Sequence, residues 1–336
     1  MRHSPFALYP RTALITAVLD HGLRKPIERQ SLEEIQADRG TVTPDRPPFS
    51  WVTGRVDRSV GITYGTAQTR DGYELPLRIY RPRGVRDTDV DVPVVVFVHG
   101  GGFVRGNVVM YDPLCTLLAA RVRAVVVSVD YRLAPEHRGP TAAFDVTDAI
   151  AWVADHGAEL RADTRRIALC GDSAGGNLSA VAAQLLRDRG DSPVVHQALL
   201  YPATDMTLAS PSIAANADAP LLTRASIVAF RELYAPTGSD WRDPLLSPLF
   251  GDLAGLPPAL VQTADLDPLR DDGVRYAEAL EVAGVPVRLT NYVRVPHGFV
   301  SIPGMVPTSA QHRAELVGEL RRHLYAAGAP ERGPAG

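Results

Sequence analysis

Lysine is almost absent from this chain. Lys25 is the single lysine among 35 basic residues, and the arginine excess is read as coding bias, because no basic cluster accompanies it. A net charge of −3 over 336 residues gives no electrostatic footprint for nucleic acid or for an anionic membrane surface, so neither is expected as a partner. Cysteine is scarce as well. Cys115 and Cys170 lie in apolar surroundings, offer neither a disulfide framework nor zinc-ligand spacing, and are expected as buried free thiols. No apolar run approaches the roughly 18 residues needed to cross a bilayer. The apolar stretch from Ala13 to Leu19 is followed by Asp20 and His21 without a small-residue cleavage site, which argues against a signal peptide. The expectation is a soluble, cytoplasmic protein of one large domain or two small ones.

What is present has a rhythm. Residues 1 to about 50 lean helical and irregular, with an amphipathic stretch from Thr12 to Leu19, a helix start at Ser31–Glu34 and a proline-rich run at Pro44–Pro48. From Gly54 the pattern alternates and turns at Asp71-Gly72, a hairpin signal. Short β-rich runs then alternate with helical ones, at Val94–Val98, Ala124–Val129, Ile167–Cys170, Gln197–Tyr201, Ala259–Gln262 and Val287–Tyr292. Such alternation argues for a mostly parallel sheet with helices on both faces. Between Asp205 and Phe250 it breaks into an insertion, including a helical run at Leu222–Tyr234, that is too long for an ordinary connection and is expected to be a functional lid.

The stretch from Arg166 to Asn177, RIALCGDSAGGN, passes from an apolar strand through Gly171-Asp172-Ser173-Ala174-Gly175 into a helical run that Gly190 closes. This is the strand-turn-helix context of a nucleophile elbow, in which small residues two positions to either side leave room for the bend. A serine hydroxyl needs a base held by a third group. His297 lies just past a β-rich run, where a strand's carboxyl end would present it. His99 and His137 compete, His156 and His196 lack a post-strand loop, and His312 and His323 fall in a helical stretch and are expected at the surface. For the third group, position leaves Asp265, Asp267, Asp271 and Asp272 open. A solvated acidic loop accounts for some of them, while Pro268 and the late Gly273 violate calcium-loop spacing. His99-Gly100-Gly101-Gly102-Phe103 follows the strand VVVFV, and its glycines let backbone N–H groups approach a substrate as an oxyanion hole completed by Ala174. A phosphate loop is the rival, but neither G-x-G-x-x-G nor a Lys-Ser/Thr pair is present.

HGGGF (99–103), DYRLAPEH (130–137), GDSAGGN (171–177), DPLRDDG (267–273) and HGF (297–299) occur in this order and at about this spacing in the bacterial hormone-sensitive-lipase family of esterases, which the chain resembles from about Tyr80 to His323. The resemblance implies an α/β-hydrolase fold, a mostly parallel central sheet with helices on both faces and a helical cap. It implies a Ser173, His297 and Asp267 triad, with Asp265 in a flanking position, and oxyanion donors at Gly101, Gly102 and Ala174. His99, Gly100, Gly171, Asp172 and Gly175 support these motifs. The corresponding organisation is residues 1–50 and 205–250 as cap, 51–204 and 251–326 as core, and 327–336 as a disordered tail. The activity implied is serine carboxylester hydrolysis of small-molecule esters with short to medium acyl chains, without metal or cofactor; a homodimer is left open. An acyltransferase or deacetylase with the same triad is the alternative, and a ligand-binding pseudoenzyme another. Asp130, Arg132 and Glu136 are expected in a structural ion and hydrogen-bond network. After that motif the chain departs from the family at Arg138-Gly139-Pro140-Thr141-Ala142, which bears on local packing.

Overall fold

A computed structural model describes residues 8–20, 25–83, 92–190 and 192–326. The expected tail at 327–336 lies outside the described residues, as do residues 1–7 and 21–24 of the N-terminal segment. Among the described residues, eight strands, β1 (Val60–Gln68), β2 (Glu74–Pro82), β3 (Pro93–Val98), β4 (Val125–Val129), β5 (Asp163–Asp172), β6 (Val194–Leu200), β7 (Ala259–Leu266) and β8 (Val287–Pro296), form one sheet in the order β1-β2-β4-β3-β5-β6-β7-β8. The hairpin read at Asp71-Gly72 joins β1 and β2, with Gly72 at φ +80°. β2 pairs antiparallel with β4, and every pair from β4 onward is parallel.

The helices are α1 (Pro10–Val18), α2 (Leu32–Arg39), α3 (Phe49–Thr53), α4 (Asp112–Leu118), α5 (Thr141–Asp155), α6 (Gly157–Leu160), α7 (Ala174–Arg189), α8 (Pro211–Ala215), α9 (Arg224–Tyr234), α10 (Arg270–Val282) and α11 (Ser309–Leu324). The helix start read at Ser31–Glu34 is a capping box: the Glu34 N–H donates to Ser31 Oγ, and the Ser31 N–H to Glu34 Oε2.

β3 shows why the sheet is double-faced. All six of its residues are buried. Val94, Val96 and Val98 point into a core shared with α5, α7 and α10. Val95 and Phe97 point into a second core with Leu114 and Leu118 of α4 and Leu316 and Leu320 of α11. The period-two side-chain alternation of a strand sends a continuous apolar run to both faces, each buried aliphatic side chain contributing about 1.5–3 kcal/mol. Both cysteines are buried free thiols, as expected. No helix among the described residues is long and apolar enough to cross a membrane.

The described parts of the N-terminal segment and the 205–250 insertion meet each other. Ser226 Oγ at the start of α9 donates to Glu28 Oε2 at 3.1 Å, and the Leu221 N–H to Asp20 Oδ2 at 3.2 Å. α9 turns Ile227, Phe230 and Tyr234, at helical spacing, inward. Asp130, Arg132 and Glu136 stand in three places rather than one network. Arg132 pairs with buried Asp145 and with Asp71, Glu136 with Arg39 and Gln36 of α2, and Asp130 lies 4.0 Å from His99. At the departure after that motif, the Gly139 N–H donates to Tyr234 O at 2.9 Å, joining this turn to α9.

Candidate active site

The carboxyl ends of β3, β5, β7 and β8 converge. β3 runs into the His99–Phe103 loop, β5 into Ser173, β7 into Asp267 and β8 into His297. Ser173 sits between β5 and α7 at φ +55° and ψ −118°, a conformation that costs a residue with a Cβ on the order of 1–3 kcal/mol and persists only when its surroundings enforce it. The Ser173 N–H donates to Leu200 O at 2.8 Å, and Ser173 O accepts from the Asn177 N–H at 3.1 Å. The elbow also needs close approach of backbones. A Cβ on Gly175 would stand 2.0 Å from Val98 O, so only glycine lets the first turn of α7 pack against the end of β3.

Ser173 Oγ lies 2.9 Å from His297 Nε2, and His297 Nδ1 lies 2.7 Å from Asp267 Oδ2. A carboxylate only accepts, so the Nδ1 nitrogen carries the proton and the Nε2 lone pair faces the hydroxyl. His297 and Asp267 are both buried. Asp267 Oδ1 accepts the Leu269 N–H at 2.7 Å, which fixes the carboxylate's orientation.

The other three acids go elsewhere. Asp265 Oδ1 accepts the Val295 N–H at 3.1 Å and ties β7 to the end of β8. Asp271 Oδ2 accepts the Ser212 N–H at 2.8 Å. Asp272 is buried, takes the Thr204 and Asp205 N–H groups and the Ser210 hydroxyl, and is pushed up to about 7, chiefly by burial.

The His99–Phe103 loop is built on its glycines. Gly101 has φ +129°, and a Cβ there would collide with Arg105 O at 1.9 Å. Among the described residues no acceptor takes the N–H groups of Gly101, Gly102 or Ala174. Phe230 of α9 lies against Gly102, and Tyr234 stacks on Phe103 with ring centroids 3.9 Å apart. His99 is buried, stacks on Tyr131 at 4.3 Å and donates Nδ1–H to Gly100 O; burial lowers its pKa.

Sequence reasoning missed several neighbours. Asn216, at the end of α8, donates Nδ2–H to the carbonyls of Asp267 at 2.8 Å and Asp265 at 3.1 Å. The Ser212 hydroxyl donates to Pro268 O at 2.6 Å. The insertion therefore clamps the acid loop, and nothing in its composition distinguishes these residues from ordinary loop Ser and Asn. His312, expected at the surface, is buried: its ring packs against Phe299 at 4.9 Å, and burial pushes it down to about 3. A signal existed, because His312 falls on the same helical stripe as Leu316, Leu320 and Leu324. His323 is partly covered and stacks on His196 at 4.3 Å.

Known proteins resemble the chain over most of its length. The family described as alpha/beta hydrolase fold matches residues 95–301. The chain is 48% identical over 258 residues to the carboxylesterase NlhH of Mycobacterium tuberculosis, covering 75% of this chain and 80% of the relative. It is 36% identical over 275 residues to an ethyl acetate hydrolase of Pseudomonas putida, covering 81% and 86% respectively. Among solved structures, a hyperthermophilic esterase from Pyrobaculum calidifontis superposes with a TM-score of 0.84 at 37% identity, over 95% of this chain and 99% of that one.

Proposed function

The chain belongs to the alpha/beta hydrolase fold family, in its hormone-sensitive-lipase-like branch, and is a carboxylic ester hydrolase; from that premise we propose that it cleaves esters of short to medium acyl chains through Ser173, His297 and Asp267 and an acyl-enzyme. The observation that carries the reading is the continuous hydrogen-bond chain from Ser173 Oγ through both nitrogens of His297 to Asp267.

The chemistry follows from the placement. Ser173 Oγ attacks the ester carbonyl carbon as its proton passes to His297 Nε2, and Asp267 stabilises the imidazolium so formed. The tetrahedral oxyanion takes the N–H groups of Gly101, Gly102 and Ala174, each worth on the order of 3 kcal/mol in the transition state. Ala174 opens α7, so the positive end of a 16-residue helix faces the developing charge. The ester C–O bond breaks and the alcohol leaves with the proton from His297. Water then adds to the acyl-enzyme with His297 as base, and the acid departs as Ser173 regains its proton. The α1–α2 segment and the insertion form the cap, whose Phe230 and Tyr234 rest on the His99–Phe103 loop.

Two measurements test this. A fluorophosphonate probe is expected to label the wild type and not Ser173→Ala; equal labelling of both would sink the nucleophile. Turnover of p-nitrophenyl esters is expected to be highest at short and medium chain lengths. A preference for long-chain, emulsified substrate would overturn the acyl range.

A further inference from the structure

The carboxylate of Asp172, next to Ser173 in the chain, has no part in the mechanism above, yet it lies where three parts of the site meet. Asp172 Oδ1 accepts the Gly100 N–H at 2.9 Å, while Oδ2 accepts the hydroxyls of Tyr111 at 3.0 Å and Tyr201 at 3.2 Å. The Gly100 N–H also reaches the Tyr111 hydroxyl, at 3.2 Å. The loop lies so close that a Cβ on Gly100 would stand 2.6 Å from Asp172 Oδ2. Tyr201 is equally constrained. It is buried just past β6 at φ +37°, rare for a residue with a side chain, and its ring meets the His297 ring edge-on with centroids 4.7 Å apart. We infer that Asp172 is a positioning residue for the reaction, holding the His99–Phe103 loop through Gly100 and holding Tyr201 against His297, so that one carboxylate sets both the oxyanion donors and the base.

This inference rests on the triad reading above. Its physical content is that hydrogen bonds to an ionised acceptor are shorter and roughly twice as strong as neutral ones, so a carboxylate fixes three donors more firmly than an amide would. Burial pushes Asp172 up to about 6, with the Tyr111 hydroxyl and the Gly100 N–H opposing, which leaves it ionised at neutral pH. The titratable groups facing it are Tyr111, Tyr131, Tyr201, Cys170 and His297. Burial raises the three tyrosines and the thiol well above their ordinary values, so they remain neutral around the carboxylate. A residue that only stabilised the fold would lower the melting temperature without separating kcat from KM. A residue that aims the loop and the base lowers kcat, because both act on the transition state more than on bound ester.

The experiment compares Asp172→Asn, Tyr201→Phe, Tyr111→Phe and Ser173→Ala with the wild type. It reads steady-state turnover of p-nitrophenyl butyrate and the rate of fluorophosphonate labelling. Asp172→Asn is expected to lower kcat roughly 10- to 100-fold, less than outright loss of oxyanion stabilisation, with KM held within about twofold and labelling slowed in parallel. Each tyrosine variant is expected to lose a factor of about 3 to 10 in kcat, the scale of one weakened positioning hydrogen bond. A folded Asp172→Asn protein with wild-type kcat, or one whose whole loss lies in KM, overturns the inference. Should Asp172→Asn fail to fold, the tyrosine variants decide, and wild-type kcat in both overturns it. Activity surviving in Ser173→Ala would overturn the triad reading and this inference with it. Activity lost in Ser173→Ala but kept in Asp172→Asn overturns the inference alone.

Discussion

Ser173 and Asp267 belong to one hydrogen-bond chain, yet the segments that carry them are held in different ways. The elbow is fixed by backbone against backbone: β5 and α7 are wedged against β3, with Gly175 where a Cβ would stand 2.0 Å from Val98 O. The acid loop is fixed by side chains of the insertion, with Ser212 on Pro268, Asn216 on Asp265 and Asp267, and Ser210 on Asp272. Steric exclusion tolerates no substitute, whereas a hydrogen-bond clamp can lose one member and keep its general shape. The serine half is thus expected to be brittle, and the acid half graded.

The largest effect should come from Gly175→Ala. Its new methyl meets a main-chain carbonyl rather than a flexible side chain, so the strand, the helix or both must move, at more than the roughly 1–3 kcal/mol typical of overpacking. Loss of soluble, folded protein is expected in expression and thermal-melt assays. A folded variant with wild-type melting would erase the contrast between the two halves. Next is His297→Ala, which removes the link between them without touching either scaffold. Ester turnover should fall by roughly 10³-fold or more with the melting temperature little changed. Wild-type turnover in the folded variant would remove His297 from the reaction.

Asn216→Ala tests the graded half. The Asp265 and Asp267 carbonyls lose the amide they share, with Asp267 O keeping the Arg270 N–H at 3.1 Å, at about 1–3 kcal/mol in stability, and Asp267 gains freedom to shift within its loop. Turnover is expected to drop about tenfold in a folded protein, since small misplacements of orienting groups are amplified in rate. An unchanged kcat would mean that the Leu269 and Arg270 N–H groups suffice to orient Asp267, and the clamp would be structural only.

This difference also decides how much could be read from the chain. The β runs, the hairpin at Gly72 and the strand-turn-helix passage at Ser173 were legible because short apolar runs set between helical ones and obligatory glycines leave few alternatives. Strand ends were less so: β8 continues to Pro296, four residues beyond the run at Val287–Tyr292, because exposed Val293 and Arg294, the latter at φ +62°, interrupt the pattern before buried Val295 and Pro296. Asn216, Ser212 and Tyr201 could not be singled out, since their partners are main-chain carbonyls and carboxylates far away in sequence, and such pairings leave no periodic trace. His312 is the opposite case. Its place in a polar helical stretch suggested the surface, but its position on the stripe of Leu316 marked it as inward, and it packs against Phe299.

His312 gives the smallest effect, and it lies in the histidine half of the site, beneath Phe299. Burial lowers it from an ordinary 6.5 to about 3, so below pH 6.5 the unfolded chain takes up a proton that the folded chain refuses. Its contribution is fully present above 6.5 and is lost progressively as the pH falls toward 3. Asp272 and Asp172, raised to about 7 and about 6 by burial, act in the opposite sense: the folded chain keeps protons that the unfolded chain has released. The bulk pH profile therefore mixes both signs, and comparing the wild type with His312→Phe at each pH isolates the histidine. At pH 7.5 the difference in melting temperature reports packing alone. At pH 5 the variant should gain on the wild type by on the order of 2 kcal/mol, or a few degrees, because 1.5 pH units separate that pH from 6.5. Melting curves that run parallel between pH 7.5 and 5 would mean that His312 accepts its proton in the folded protein, and that the packing beneath Phe299 yields as readily as the acid loop does.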